Sequence, residues 1–164
     1  MNELIDFLDK YEENKTKKQR KPSYWKPESI KLLENELLQK KKAKYPNNPY
    51  PVKDILRDDT ANELTKCVCK WLELNGYFSA RINTTGTYSA KLGKWIHSGS
   101  KRGMADITAV INGKHISIEI KTGNDKPRPE QLKVKQEVEA AGGVYIFVRS
   151  FDDFLIQINE YHYE

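Results

Sequence analysis

Two β-rich runs, residues 105–111 and 114–121, are separated by Asn112-Gly113 alone, and no other feature constrains this chain as strongly. A two-residue type I′ turn needs positive φ at both central positions, which Asn and Gly adopt at least cost. A tight hairpin is expected, and the turn sets its register. Ile111 faces Lys114, and counting outward places Asp106 opposite Glu119. Side chains alternate along a strand, so Glu119 and Lys121 share a face while Ile116, Ile118 and Ile120 point the other way into a core.

Opposed carboxylates repel, so a fold that keeps both ionised on one face needs a compensating cation, and a hard divalent ion such as Mg2+ or Mn2+ suits oxygen donors. Two carboxylates and an ammonium on one face are suited to phosphodiester hydrolysis, with Lys121 orienting or deprotonating the attacking water and stabilising developing charge. The hairpin alone leaves a second reading equally open. Lys121 could simply form a surface salt bridge with a neighbouring carboxylate, worth about 0 to 1 kcal/mol.

Around the hairpin the pattern alternates helix and strand. Pro27 can open a helix with Ile30, Leu33, Leu37 and Leu38 on one face and Lys40 to Lys44 as a basic tail. The prolines of residues 45–51 cannot continue it, which places a boundary between a helical N-terminal extension, residues 1–51, and a main domain, residues 52–164. Residues 60–76 read as a helix with Leu64, Cys67, Val68, Trp71 and Leu72 on one face, ended by Gly76. A strand over 77–82 follows, then a long polar loop over 83–103. After the hairpin come a helix over 129–141, a strand over 144–149 and a final amphipathic segment, 150–160. Residues 1–13 also carry a short helical pattern.

Composition excludes several function classes. At 164 residues the chain suits one core with an appendage. No apolar run approaches the roughly 20 residues of a membrane span, and Met1 to Lys10 lacks a signal-peptide pattern, so a cytoplasmic protein without membrane contact is expected. Cys67 and Cys69 diverge on a helix and read as packing residues. His97, His115 and His162 show no metal-ligand spacing with them, which gives a structural zinc site no support. The net charge is +5, and residues 14–44 supply the excess with eleven Lys or Arg against three Glu. That run could track backbone phosphates or be a solvated face.

The segment 103–107, Gly-Met-Ala-Asp-Ile, followed by Glu119-Ile120-Lys121, resembles the split Asp, Glu-x-Lys signature of the PD-(D/E)XK nuclease superfamily. It looks most like the virus-type replication-repair nuclease domain, VRR-NUC, a relative of Holliday-junction resolvases. The resemblance spans about residues 60–155 and includes Arg102-Gly103, Pro129-Glu130-Gln131 and Gly142-Gly143. It implies an α/β restriction-endonuclease-like core, αβββαβ, with a mixed sheet flanked by helices. It also implies a metal-dependent nuclease acting on branched or duplex DNA. A structure-selective junction or flap endonuclease is expected, nucleoid-associated or, if phage-encoded, in the host cytoplasm. A small restriction endonuclease and a binding module without catalysis are the alternatives.

By the same resemblance, Asp106 and Glu119 hold Mg2+ or Mn2+ with the backbone carbonyl of Ile120, and Lys121 serves the water. Glu63 matches a glutamate that often completes the shell, although Thr60-Ala61-Asn62-Glu63 also reads as a helix capping box. Gln131 matches a glutamine that contacts metal-bound water or phosphate, and equally suits an ordinary first helical turn. Lys101 and Arg102 are placed to grip a neighbouring phosphate. Tyr88 and Trp95, among Lys91 and Lys94, could stack on bases or pack the loop on its own domain, with packing favoured for Trp95. A homodimer is compatible with resolvase-like relatives. The helix after Pro27 could pack on its own core or on a second copy.

Overall fold

In the computed structural model, which describes residues 24–82, 86–96, 99 and 101–162, helices cover both faces of a mixed sheet. The helical pattern of residues 1–13, the basic run over 15–21 and His97 lie outside the described residues. In chain order the elements are α1 (Glu28–Lys44), α2 (Ala61–Leu74), β1 (Phe78–Arg81), β2 (Thr87–Ser89) and β3 (Lys94–Ile96). They continue with β4 (Ile107–Ile111), β5 (Lys114–Ile120), α3 (Pro129–Ala140), β6 (Val144–Val148) and α4 (Phe151–His162).

The hairpin forms as its turn dictates. Asn112 has φ 47° and Gly113 φ 80°, and Ile111 pairs with Lys114, Ile107 with Ile118. β1 adds antiparallel to β4, and β6 adds parallel to β5, giving the order β1-β4-β5-β6. Parallel neighbours need a crossover, which α3 supplies. Helices and strands thus give an α/β chain with a mixed four-stranded sheet and a separate two-stranded ribbon, β2–β3.

That ribbon corrects the expectation of a long polar loop over 83–103. Its strands are three residues each, too short for an alternating apolar pattern to reveal them.

One sheet face carries Ile107, Ala109, Ile111, Ile116, Ile118, Ile146 and Val148, packed under α2 and α4. Ile30, Leu33 and Leu37 of α1 join the same core, so of the two placements open from sequence this helix takes its own domain. Lys40 Nζ donates to the carbonyls of Glu73 and Leu74 at 3.2 Å each, completing the C-terminal end of α2. Cys67 and Cys69 are free thiols, and Cys67 is buried in this core.

The opposite face is covered only in part. Ala105, Val134 and Tyr145 form a small second cluster beneath α3. Toward β1 the face lies open, with Phe78 65% and Val110 37% exposed and paired across the strands. Among the described residues, no helix is long and apolar enough to cross a membrane.

Candidate active site

Asp106 precedes β4 by one residue and Lys121 follows β5 by one, so the hairpin register carries both to the same end of the sheet. There the Asp106 carboxylate accepts from the Ile120 amide at 2.9 Å, and its own carbonyl accepts from the Ile82 amide at 2.7 Å. Asp106 is thereby tied to both of its neighbours, the β5 backbone between Glu119 and Lys121 and the residue that follows β1.

Glu119 is 4% exposed and Lys121 2%. Lys121 does form salt bridges with neighbouring carboxylates, as one of the two sequence readings has it, but from a buried position and not at the surface. Lys121 Nζ lies 3.2 Å from Glu119 Oε1 and 3.1 Å from Asp125 Oδ2. Removing Lys121 would leave the Glu119 charge buried and uncompensated, at a cost of about 3 to 5 kcal/mol where both partners are dry, whereas neutralising Glu119 leaves Lys121 its second partner, Asp125. Asp125 is half exposed, so solvent moderates its share of the interaction.

The N-terminus of α3 closes the cluster. Pro129 starts the helix, and Gln131 Oε1 accepts from the Arg128 amide at 2.9 Å in a capping box. The same side chain turns its Nε2 to Glu119 Oε1 at 2.5 Å. Gln131 thus serves the helix start, the plainer of its two sequence readings, and its other end binds Glu119, a contact the sequence reading did not name. Tyr145 on β6 approaches from the other side, its hydroxyl 3.5 Å from Glu119 Oε2 and 3.3 Å from the Gly103 carbonyl. With one proton to give, it donates to one of them at a time.

Burial and the nearby Asp106 charge raise the pKa of Glu119 above its ordinary value, outweighing Lys121 and Gln131. Burial and the charges of Glu119 and Asp106 raise that of Tyr145, which keeps it a donor. The Lys121 ammonium holds Asp125 below its ordinary value. The carboxylates of Asp106 and Glu119 are hard-oxygen donors of the kind that suit Mg2+ or Mn2+. Among the described residues, no group of three or more His, Cys, Asp or Glu side chains gathers in a metal-holding arrangement.

Glu63 does not join these carboxylates in any described contact. Its amide donates to the Thr60 hydroxyl at 3.3 Å, the Thr60 half of the capping box that the sequence offered as the alternative, while its side chain lies 3.9 Å from Lys66 instead of folding back on the helix start. Neighbouring Asn62 accepts from Arg81 at 2.7 Å, which keeps the start of α2 at the Asp106 end of the sheet. Lys101 is ion-paired with Glu137 of α3, and Arg102 is exposed beside it.

Lys91, Lys94, Tyr88 and Trp95 lie on the ribbon and its turn, all exposed. Trp95 is 66% exposed, so the expected packing of this residue against the domain is not observed.

Three residues of the site escape a reading of roles from sequence. Asp125 and Tyr145 reach it through tertiary contacts that no spacing announces. Gly103 signals only a motif, yet it has φ +83° and lies so close to α3 that a Cβ would sit 2.3 Å from the Glu130 carbonyl oxygen. Only glycine accommodates both conditions. No protein-family model matches the chain, and no curated protein matches it.

Proposed function

We propose that this chain is a metal-dependent DNA nuclease of the PD-(D/E)XK type, with an αβββαβ core resembling VRR-NUC domains, that hydrolyses phosphodiester bonds in branched DNA. The observation that carries this reading is the burial of Glu119 and Lys121 side by side at the sheet end where Asp106 opposes them. A fold gains little stability from opposed carboxylates, whereas a hydrolytic site needs them. The order of elements and the parallel β5–β6 pair support the same reading.

Asp106, Glu119 and the Ile120 carbonyl would hold Mg2+ or Mn2+, which when bound supplies Lewis acidity and positive charge at the scissile phosphate. The rest falls to the protein. Lys121 has three N–H donors, and Glu119 and Asp125 engage two, which leaves one to orient the attacking water. Gln131 and Tyr145 fix the Glu119 carboxylate from both sides, so little reorganisation accompanies the reaction. The open half of the face, at Phe78 and Val110, gives a duplex arm room to approach. Lys101 can exchange its surface pair with Glu137 for a phosphate, since an exposed pair contributes about 0 to 1 kcal/mol.

Labelled four-way junction, flap, duplex and single-stranded DNA, incubated with wild type and Lys121→Ala in Mg2+, Mn2+ or EDTA, test this function. Metal-dependent cutting of branched substrates that disappears in the variant is the expected result. Intact DNA binding with no cutting of any substrate would replace the nuclease by a binding module. Cleavage that survives Asp106→Ala would overturn the site.

A further inference from the structure

The ribbon β2–β3 leaves the main sheet and returns at the corner occupied by Asp106. Its outgoing stem follows Arg81, which pairs with Ile107, and the next residue, Ile82, donates to the Asp106 carbonyl. The ribbon is thus inserted, in sequence, between two residues that meet at the Asp106 corner.

The ribbon is built to display rings. Tyr88 and Trp95 are direct cross-strand partners and so share one face, with centroids 6.0 Å apart and planes at 64°. They are 54% and 66% exposed, and Leu92 in the turn is 58% exposed. A two-stranded ribbon is marginal in water without an apolar face packed on something. Exposed rings at such a place point to a partner.

Charge identifies the class of partner. From Leu74 to Ala105 the chain holds Arg81, Lys91, Lys94, Lys101 and Arg102 and not one Asp or Glu. Lys91 and Lys94 flank the rings, and among the described residues neither forms an ion pair. Planar faces beside unneutralised ammonium groups match a strand of nucleic acid whose bases are unpaired, since stacking needs a bare ring and the lysines need phosphates. A second copy of this chain would bring further lysines to a surface already positive. A paired duplex hides its base faces.

We propose that the β2–β3 ribbon is a stacking platform for unpaired nucleotides, with Tyr88 and Trp95 taking bases and Lys91 and Lys94 the phosphates between them. Resting on the nuclease reading, it names the substrate class: DNA with a single-stranded tract next to the cut, such as a flap or an open junction centre.

The test measures binding of fluorescein-labelled oligo-dT, a blunt duplex of equal length and a flapped duplex by anisotropy. The full chain carries Glu119→Gln and EDTA is present, so nothing is cut. The combined Tyr88→Ala, Trp95→Ala change is expected to weaken oligo-dT and flap binding about ten-fold or more while leaving the blunt duplex within about two-fold. Trp95→Phe, which keeps a ring, should retain most of the affinity and rules out a folding defect as the cause. Equal loss on all three DNAs, or no loss on any, overturns the platform. A dimer in light scattering that dissociates on the double substitution overturns it too, in favour of a second copy. If ribbon variants keep their preference while wild type still cleaves with Mg2+, only the platform falls. Absence of any DNA binding by wild type removes the nuclease with it.

Discussion

Among the described residues two glutamates are buried, and their surroundings differ in sign. Glu34 on α1 is 3% exposed and Glu119 on β5 is 4% exposed. Glu34 accepts from the Leu56 amide at 2.7 Å and from Lys26, with Lys53 at 3.8 Å. Burial pushes its pKa up, but these donors outweigh burial and the net shift is downward. Around Glu119, burial and Asp106 outweigh Lys121 and Gln131, and the net shift is upward. The first carboxylate is a strut that fastens the segment after Pro51 onto α1, satisfied by what surrounds it. The second is held where the protein itself supplies too little positive charge to offset burial and Asp106, which is the setting the proposed cation would meet.

The comparison breaks most visibly in catalysis. Asp106→Asn or Glu119→Gln is expected to lower metal-dependent cleavage by about a thousand-fold or more, a loss of several kcal/mol of transition-state stabilisation. Glu34→Gln should leave the chemical step unchanged in single-turnover assays at a temperature where each variant is folded. If Glu34→Gln proves as damaging, the distinction between strut and site is wrong. In urea unfolding the ranking reverses. Glu34→Ala leaves the Leu56 amide and Lys26 without their acceptor and should cost about 2 to 3 kcal/mol, discounted from a fully buried pair because Lys26 is partly solvated. Asp125→Asn, which removes one of the two anchors of Lys121, should slow cleavage about ten-fold with substrate affinity preserved.

Acid titration sharpens the contrast. Glu34 holds its proton less tightly when folded, so its contribution is present above the ordinary value of 4.5 and fades as pH falls below it. Glu119 holds its proton more tightly when folded, so stability declines as pH rises from 4.5 through its raised value. In EDTA, melting temperatures of Glu34→Gln should lie below wild type at neutral pH and converge with it in acid. Those of Glu119→Gln should lie at or above wild type at neutral pH. Curves displaced in the same direction would contradict the opposite signs. The smallest effect belongs to Glu63→Ala, expected to cost about 0.5 kcal/mol of stability and to leave cleavage within about two-fold. A hundred-fold loss would return Glu63 to the metal shell.

What is legible in the sequence follows the reach of the interactions. The Asn112-Gly113 turn sets its register over a few residues, so the opposition of Asp106 and Glu119 can be counted along the chain from the turn outward. Helix starts at Pro27, Thr60 and Pro129 are legible for the same reason, each being announced by its own residues. Gln131 stands out as a helix-start residue, yet its bond to Glu119 spans 12 residues and depends on where α3 lands. Tyr145 and Asp125 carry no local sign of their roles. The ribbon stays hidden because Lys94-Trp95-Ile96 has no alternation that three residues could display.

The parallel pairing of β5 with β6 has a consequence in time. The hairpin closes through two residues, the kind of contact that forms within microseconds, and it brings Asp106 and Glu119 together at once. Gln131 and Tyr145, which hold Glu119 in place, arrive only when the α3 crossover delivers β6, a non-local step that is intrinsically slower. During refolding the chain therefore meets the repulsion of its site with Lys121 beside it but before Gln131 and Tyr145 fix Glu119 in place. Divalent cations present from the start should speed the slow phase, and chelator should lengthen it.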